Sequence, residues 1–181
     1  SDRHGLLSLH TGERMSPYFE ELKVGQFYSP QLHNIVFNPQ TEWIPYFNFT
    51  ATPIPLEILF MDDFYIWLYG KHKYKAGVLK MEDKTIYNWH RDSNRGVCVN
   101  SMIATPNTSY TFFREYADVQ NSVIELQYYP GTRFLLNNQK EHMVLNYDGI
   151  RMMLTIEFLE DKNELTYLQV LNEIKSEYYE R

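Results

Sequence analysis

Four residues of types that carry chemistry stand in an order that would let them act together. Trp89-His90-Arg91-Asp92 contains His-x-Asp. In an extended strand, residues i and i+2 point to the same side, so this motif presents an imidazole and a carboxylate to one point. A further histidine, His142, follows after several strand-like segments have had length to travel out and return. Two neutral imidazoles and one carboxylate leave adjacent coordination positions open, the ligand set expected of non-haem Fe(II) oxygenases; zinc takes the same donor types. Arg151 comes next, across the Asp148-Gly149 turn and at the start of the segment Ile150–Phe158. There Arg151, Met153 and Thr155 share one face, with Ile150, Met152, Leu154 and Ile156 on the other. A guanidinium aimed inward from an apolar strand needs an anionic partner, and a carboxylate of a bound dicarboxylic acid supplies a bidentate one.

The elements that must position these residues follow from the surrounding pattern. From about Val78 to Phe158 the chain reads as short strands: Lys84–His90, Gly96–Ala104, Ser109–Glu115, Ser122–Tyr129, Arg133–Asn137 and Ile150–Phe158. Pro106-Asn107, Asp118, Pro130-Gly131, Asn137-Asn138 and Asp148-Gly149 punctuate them, which argues for an antiparallel sandwich or barrel rather than alternating βαβ units. Ahead of this core, His33–Pro39 and Tyr46–Thr50 read as short extended segments. Leu56, Leu59, Phe60, Phe64, Trp67 and Leu68 predict one helix running from Pro55 to Gly70. Leu165, Leu168, Leu171, Ile174 and Tyr178 predict a closing amphipathic helix over about 162–179. Ser1–Arg14 is polar and aperiodic, and it reads as a disordered leader ahead of a single domain spanning 15–181. The expected fold is mainly β with flanking helices on one face.

With these residues in place, the chain resembles the iron(II)- and 2-oxoglutarate-dependent oxygenase superfamily, in particular its small phage and bacterial members. The resemblance rests on His90, Asp92, His142 and Arg151 in that order, with the flanking text Trp89-His90-Arg91-Asp92-Ser93-Asn94-Arg95 and Arg151-Met152-Met153-Leu154-Thr155-Ile156; it covers about Tyr87 to Phe158. It implies a double-stranded β-helix, that is, a jelly-roll, cupin-like sandwich. It further implies Fe(II) on His90, Asp92 and His142, and 2-oxoglutarate held through its distal carboxylate by Arg151. The implied reaction hydroxylates a C–H bond and releases succinate and carbon dioxide. An Arg-x-Ser seen in many relatives reads Arg151-Met152-Met153 here, so a second ligand for that carboxylate must come from elsewhere; Thr155, Tyr87 and Asn100 are the candidates.

Composition narrows the partners. The 181 residues are 44% hydrophobic and 22% charged, enough apolar side chain for a real core. No run approaches a membrane span and no secretory signal opens the chain, so a soluble, cytoplasmic protein is expected. A net charge of −6 is the wrong sign for holding nucleic acid by phosphate neutralisation, which turns the expected substrate toward a small molecule or a protein side chain. The single cysteine, Cys98, forms neither an internal disulfide nor a zinc knuckle and reads as a small core residue. Arg95 stands between a role in the site and the end of a turn, and Tyr128-Tyr129 reads as packing and rim. Two other functions remain open at this stage. One is a cupin-like metal-dependent isomerase or lyase in which Arg151 binds substrate, and the other is a β-sandwich binding module without turnover in which His90 and Asp92 satisfy each other.

Overall fold

The structure, a computed structural model, describes residues 6–7, 14–104, 108–115 and 123–181. The chain order is β1 (Leu6–Leu7), β2 (Arg14–Met15), β3 (Phe19–Glu21), α1 (Pro30–Val36), β4 (Ile44–Pro45), β5 (Thr50–Ile54), α2 (Leu56–Leu59), α3 (Asp63–Lys71), β6 (Tyr74–Met81) and β7 (Thr85–His90). It continues with β8 (Val97–Ala104), β9 (Thr108–Arg114), β10 (Ile124–Leu126), β11 (Arg133–Asn137), β12 (Glu141–Asp148), β13 (Arg151–Phe158) and α4 (Tyr167–Glu173), which runs on into a π-turn over Ile174–Tyr178.

From β6 onward the strands fall into two sheets. β6, β8, β11 and β13 join a seven-stranded sheet ordered β3-β11-β8-β13-β6-β5-β4, while β7, β9, β10 and β12 make a four-stranded sheet ordered β10-β9-β12-β7. All pairings are antiparallel. This exchange between facing sheets is the jelly-roll, or double-stranded β-helix. The alternation of side chains then builds two cores. Met152, Leu154, Ile156 and Phe158 on one face of β13 join Val97, Val99 and Leu135 in packing against α1–α4. The opposite faces look into the barrel, where Tyr18, Cys98, Phe113, Leu126, Phe134 and Leu136 form a smaller cluster. Most of the apolar burial therefore lies between the large sheet and its helices, which leaves polar residues free to occupy the barrel interior.

Several elements differ from the sequence reading for identifiable reasons. Pro55–Gly70 is two helices, because the Asp62 carboxylate caps α3 through the Tyr65 amide at 3.0 Å and so starts a new helix there. His33–Pro39 is not extended: Ser29 caps α1 through the Leu32 amide, and Pro30 occupies its first turn. The segment Tyr46–Thr50 is largely the turn between β4 and β5, closed by the Tyr46 amide donating to the Phe49 carbonyl at 2.8 Å. The last helix begins at Tyr167 rather than near 162, where Thr166 and Gln169 form a reciprocal capping box. β6 begins ahead of Val78, and β12 had no counterpart in the reading at all. β12 turns His142, Val144 and Asn146 inward, and its Asn146, fully buried, donates to the carbonyls of Glu82 and Gly149 at 2.7 and 2.8 Å. Pro106-Asn107, Asp118, Ser122 and most of Ser1–Arg14 lie outside the described residues. No helix among the described residues is long and apolar enough to cross a membrane.

Candidate metal centre

The register of β7 against β12 sets His142 directly opposite His90. β7 ends at His90, and the chain is kept extended through Asp92 by its amide donating to the Asn138 carbonyl at 3.0 Å. His90 Nε2 lies 3.5 Å from Asp92 Oδ1 and His142 Nε2 lies 3.3 Å from the same oxygen. One ligand atom from each of the three residues falls within 4.8 Å of the others, and they are the one such His/Cys/Asp/Glu group among the described residues.

What surrounds the three side chains decides which atoms they offer. The Nδ1 of His90 is 2.6 Å from the Asn88 carbonyl and the Nδ1 of His142 is 2.8 Å from the Lys140 carbonyl. A carbonyl only accepts, so each Nδ1 carries hydrogen and each neutral ring turns the Nε2 lone pair toward Asp92. Asp92 Oδ2 is taken up by Arg95 Nε at 2.8 Å and Asn138 Nδ2 at 3.0 Å, which leaves Oδ1 for the histidines. Burial opposes ionisation of Asp92, but His142 and His90, when an Nε2 carries a proton toward it, and the Arg95 cation outweigh it and hold the carboxyl well below the usual carboxylate range; the neutral rings leave that proton's place open. Three acceptor atoms thus converge with no donor between neutral rings, an arrangement that a shared cation relieves. The donor set and its outer hydrogen bonds fit a divalent metal of the Fe(II) type.

The loop that carries Asp92 is itself fastened on two sides. Gln139 Nε2 donates to the carbonyls of Asp92 and Arg95 at 2.9 and 2.7 Å. Lys162 N donates to the Asn94 carbonyl at 2.7 Å, and Gly96 lies so close to the Leu165 carbonyl that a Cβ there would collide with it. Arg95 also donates to Thr155 Oγ1 at 3.2 Å, so Thr155 serves the Asp92 clamp. Replacing Arg95 by Ala is expected to weaken Fe(II) or Co(II) binding by roughly 10–100-fold, with Lys restoring part of the loss, as measured by anaerobic metal titration. Equal affinities for parent and Arg95→Ala would show that Asp92 needs no such support.

Tyr87 lies face to face with His90, with ring centroids 3.9 Å apart and planes 14° from parallel, and Phe49 and Tyr46 extend the stack outward. Tyr87 therefore holds the plane of a candidate ligand, and no hydrogen bond joins it to Arg151. Arg151 is buried, and its NH2 donates to Thr111 Oγ1 at 3.0 Å. The Tyr128 ring centroid lies 5.8 Å from the guanidinium. Asn100 donates to the Tyr128 hydroxyl at 3.3 Å, which leaves the phenolic O–H free to donate inward. Burial pushes the Arg151 pKa below its ordinary value, and no carboxylate pairs with it among the described residues. Thr111 pairs across the ladder with Val144, two residues along β12 from His142, a rise of roughly 7 Å. The buried cation thus stands at the level of Thr111, roughly 7 Å along the ladder from His142.

Sequence reasoning left Arg95 undecided and missed Asn138, Gln139, Thr111 and the inward role of Tyr128. Only Tyr128 gave a signal, as an aromatic ahead of the Pro130-Gly131 turn; the others became visible through strand register.

No protein-family model and no curated protein matches the chain. In three dimensions it is similar to a Pseudomonas putida prolyl-4-hydroxylase, at 13% identity and a TM-score of 0.58, covering 80% of this chain and 94% of that one. It is similar also to an oxidoreductase of the 2OG-Fe(II) oxygenase family from Burkholderia pseudomallei, at 11% identity and a TM-score of 0.55, covering 75% and 79%. A third is the viral collagen prolyl hydroxylase of Paramecium bursaria Chlorella virus-1, at 12% identity and a TM-score of 0.53, covering 78% and 95%. At such identities the likeness is one of fold, and the shared fold is the jelly-roll of 2OG-Fe(II) oxygenase structures.

Proposed function

We propose that the chain is an Fe(II)- and 2-oxoglutarate-dependent dioxygenase that hydroxylates a small molecule or a protein side chain. The observation that carries this reading is the pairing of two features in one barrel: a His90, Asp92 and His142 cluster with converging lone pairs, and the buried Arg151 cation without an anion. His90, Asp92 and His142 would hold Fe(II), and Arg151, Thr111 and Tyr128 would hold the distal carboxylate of 2-oxoglutarate. When bound, iron and cosubstrate supply the oxidising power of dioxygen, so that a C–H bond becomes C–OH while 2-oxoglutarate leaves as succinate and carbon dioxide.

The chain's own part is positioning and exclusion. Arg95, Asn138 and Gln139 orient Asp92; Tyr87 fixes the plane of His90; Asn100 turns the Tyr128 hydroxyl. The apolar barrel residues Phe113, Phe134 and Met153 keep water from the interior. Two of the similar structures are named prolyl hydroxylases, which supports a side-chain substrate as one of the two classes.

The test is an anaerobic titration of the purified protein with Fe(II) and then 2-oxoglutarate, following the visible charge-transfer band of the chelate. The band is expected in the parent and absent in Asp92→Ala. Metal bound without a response to 2-oxoglutarate would replace the oxygenase with a cupin-like isomerase or lyase, and no metal binding would leave a binding module.

A further inference from the structure

Beyond Arg151 the barrel does not close. A cavity of about 270 Å³ has Arg151, Thr111, Ser109, Met102, Leu126 and Tyr128 in its wall, and none of His90, Asp92 or His142. The ladder between β9 and β12 shows on which side of the guanidinium it lies. Phe113 pairs with His142, Thr111 with Val144 and Ser109 with Asn146, so each of these steps moves roughly 7 Å away from the metal ligands. Arg151 bonds at the level of Thr111, and the cavity continues one step further, at the level of Ser109. The Ser109 hydroxyl is buried there with no hydrogen-bond partner. A buried polar atom without a partner is costly, and other atoms of Ser109 line the cavity.

A pocket that ends in a rigidly backed guanidinium measures the length of its dicarboxylic acid. In this chain the guanidinium is bonded to one hydroxyl and stands in the wall of a cavity of about 270 Å³ that Glu125 also lines, so it has room to shift by the length of a methylene. We propose that the cosubstrate pocket accepts 2-oxo dicarboxylic acids of more than one length, taking the six-carbon 2-oxoadipate as well as the five-carbon 2-oxoglutarate, with Arg151 retreating into the cavity to meet the longer chain. This rests on the reading of His90, Asp92, His142 and Arg151 as an iron and 2-oxo acid site.

The experiment uses the Fe(II)-loaded protein under anaerobic conditions, titrated in parallel with 2-oxoglutarate and 2-oxoadipate. Both acids chelate metal through the same 2-oxo acid end, so the same visible band reports binding of either without turnover. The parent is expected to bind the two with dissociation constants within about tenfold of each other, whereas a fitted pocket discriminates one methylene by roughly 10–200-fold. Ser109→Leu, which fills the void, is expected to raise the ratio of the two constants by about tenfold or more. A parent that binds 2-oxoglutarate but rejects 2-oxoadipate, or a ratio unmoved by Ser109→Leu, would overturn the proposal while leaving the site reading intact. Absence of the band with both acids would overturn the site reading, and the proposal with it.

Discussion

Arg151→Met is expected to weaken 2-oxoglutarate binding by about 2–5 kcal/mol, roughly 30-fold to several thousandfold, while leaving the ligand-free protein as stable as the parent or more so. The two halves of this expectation have one cause. The guanidinium is buried, bonds to the Thr111 hydroxyl and faces an aromatic ring, and burial already works against its charge. Hydrophobic replacement of buried ions is often neutral or stabilising by about 1–4 kcal/mol, and Met approaches the volume of the stem it replaces. The orphaned Thr111 hydroxyl would return about 1–3 kcal/mol of that gain, so adding Thr111→Val should expose the full effect. Binding moves the opposite way, because the acid's distal carboxylate loses its charge-assisted partner. Denaturant unfolding of the apo proteins and titration of the iron-loaded ones measure the two effects separately. A variant that binds 2-oxoglutarate like the parent yet unfolds more readily would make Arg151 a structural residue and remove the main support for the cosubstrate.

How far the sequence could be read depended on what each residue has to do. The cluster of His90, Asp92 and His142 was legible because metal binding calls for those side-chain types, and the inward face of β13 was legible because period-two alternation separates Arg151, Met153 and Thr155 from the apolar partners of the helices. β12 was illegible for the same reason that it matters. His142, Val144 and Asn146 face inward, so its polar residues read as turn rather than strand until the ladder to β7 and β9 is seen. Thr111 and Tyr128 look like ordinary strand and rim residues, and only the register of β9 and β10 brings them to Arg151. Tyr87, offered as a carboxylate ligand, and Thr155, offered for the same task, are drawn instead to His90 and Arg95. Local signals also competed. Asp62 broke a well-patterned apolar face into two helices because its carboxylate caps α3, and the Ser29-Pro30 start of α1 was hidden by the Asn and Pro residues that follow it. The basic stretch Lys71–Lys75 is partly built in: His72 lies between Glu160 and Glu173, 2.7 Å from each, and Tyr74 is buried.

Asp62→Ala is expected to cost about 3–5 kcal/mol from the loss of a buried ion pair, with a further 0.5–2 kcal/mol, roughly, from the loss of a helix cap. Arg133 is 1% exposed. Its guanidinium donates to both Asp62 oxygens, at 2.5 and 3.1 Å, and to the carbonyls of Val24 and Gly25 at 2.7 and 3.3 Å. Phe27, Phe64 and Tyr65 surround it, with the Tyr65 ring centroid 4.8 Å away. One carboxylate therefore starts α3 and neutralises a cation on β11, fastening the helical layer to the large sheet. With Asp62 gone, the guanidinium remains in place with two carbonyls and no counter-charge, which costs far more than the cap alone. Against a total stability of about 5–15 kcal/mol, a loss of this size removes about a quarter or more and should lower the melting temperature by roughly 7–28 °C. Asp62→Ser with Arg133→Met keeps a capping hydroxyl and removes both charges, so it should recover most of the loss; a double variant as unstable as Asp62→Ala would show that the pair is not the cause. Folded Asp62→Ala should still bind Fe(II), because Asp62 and Arg133 stand on the helical side of the sheet and not in the barrel. The chain thus buries two guanidiniums on opposite faces of one sheet. Arg133 has its carboxylate and serves the fold, whereas Arg151 has none among the described residues, as the proposed 2-oxo acid site requires.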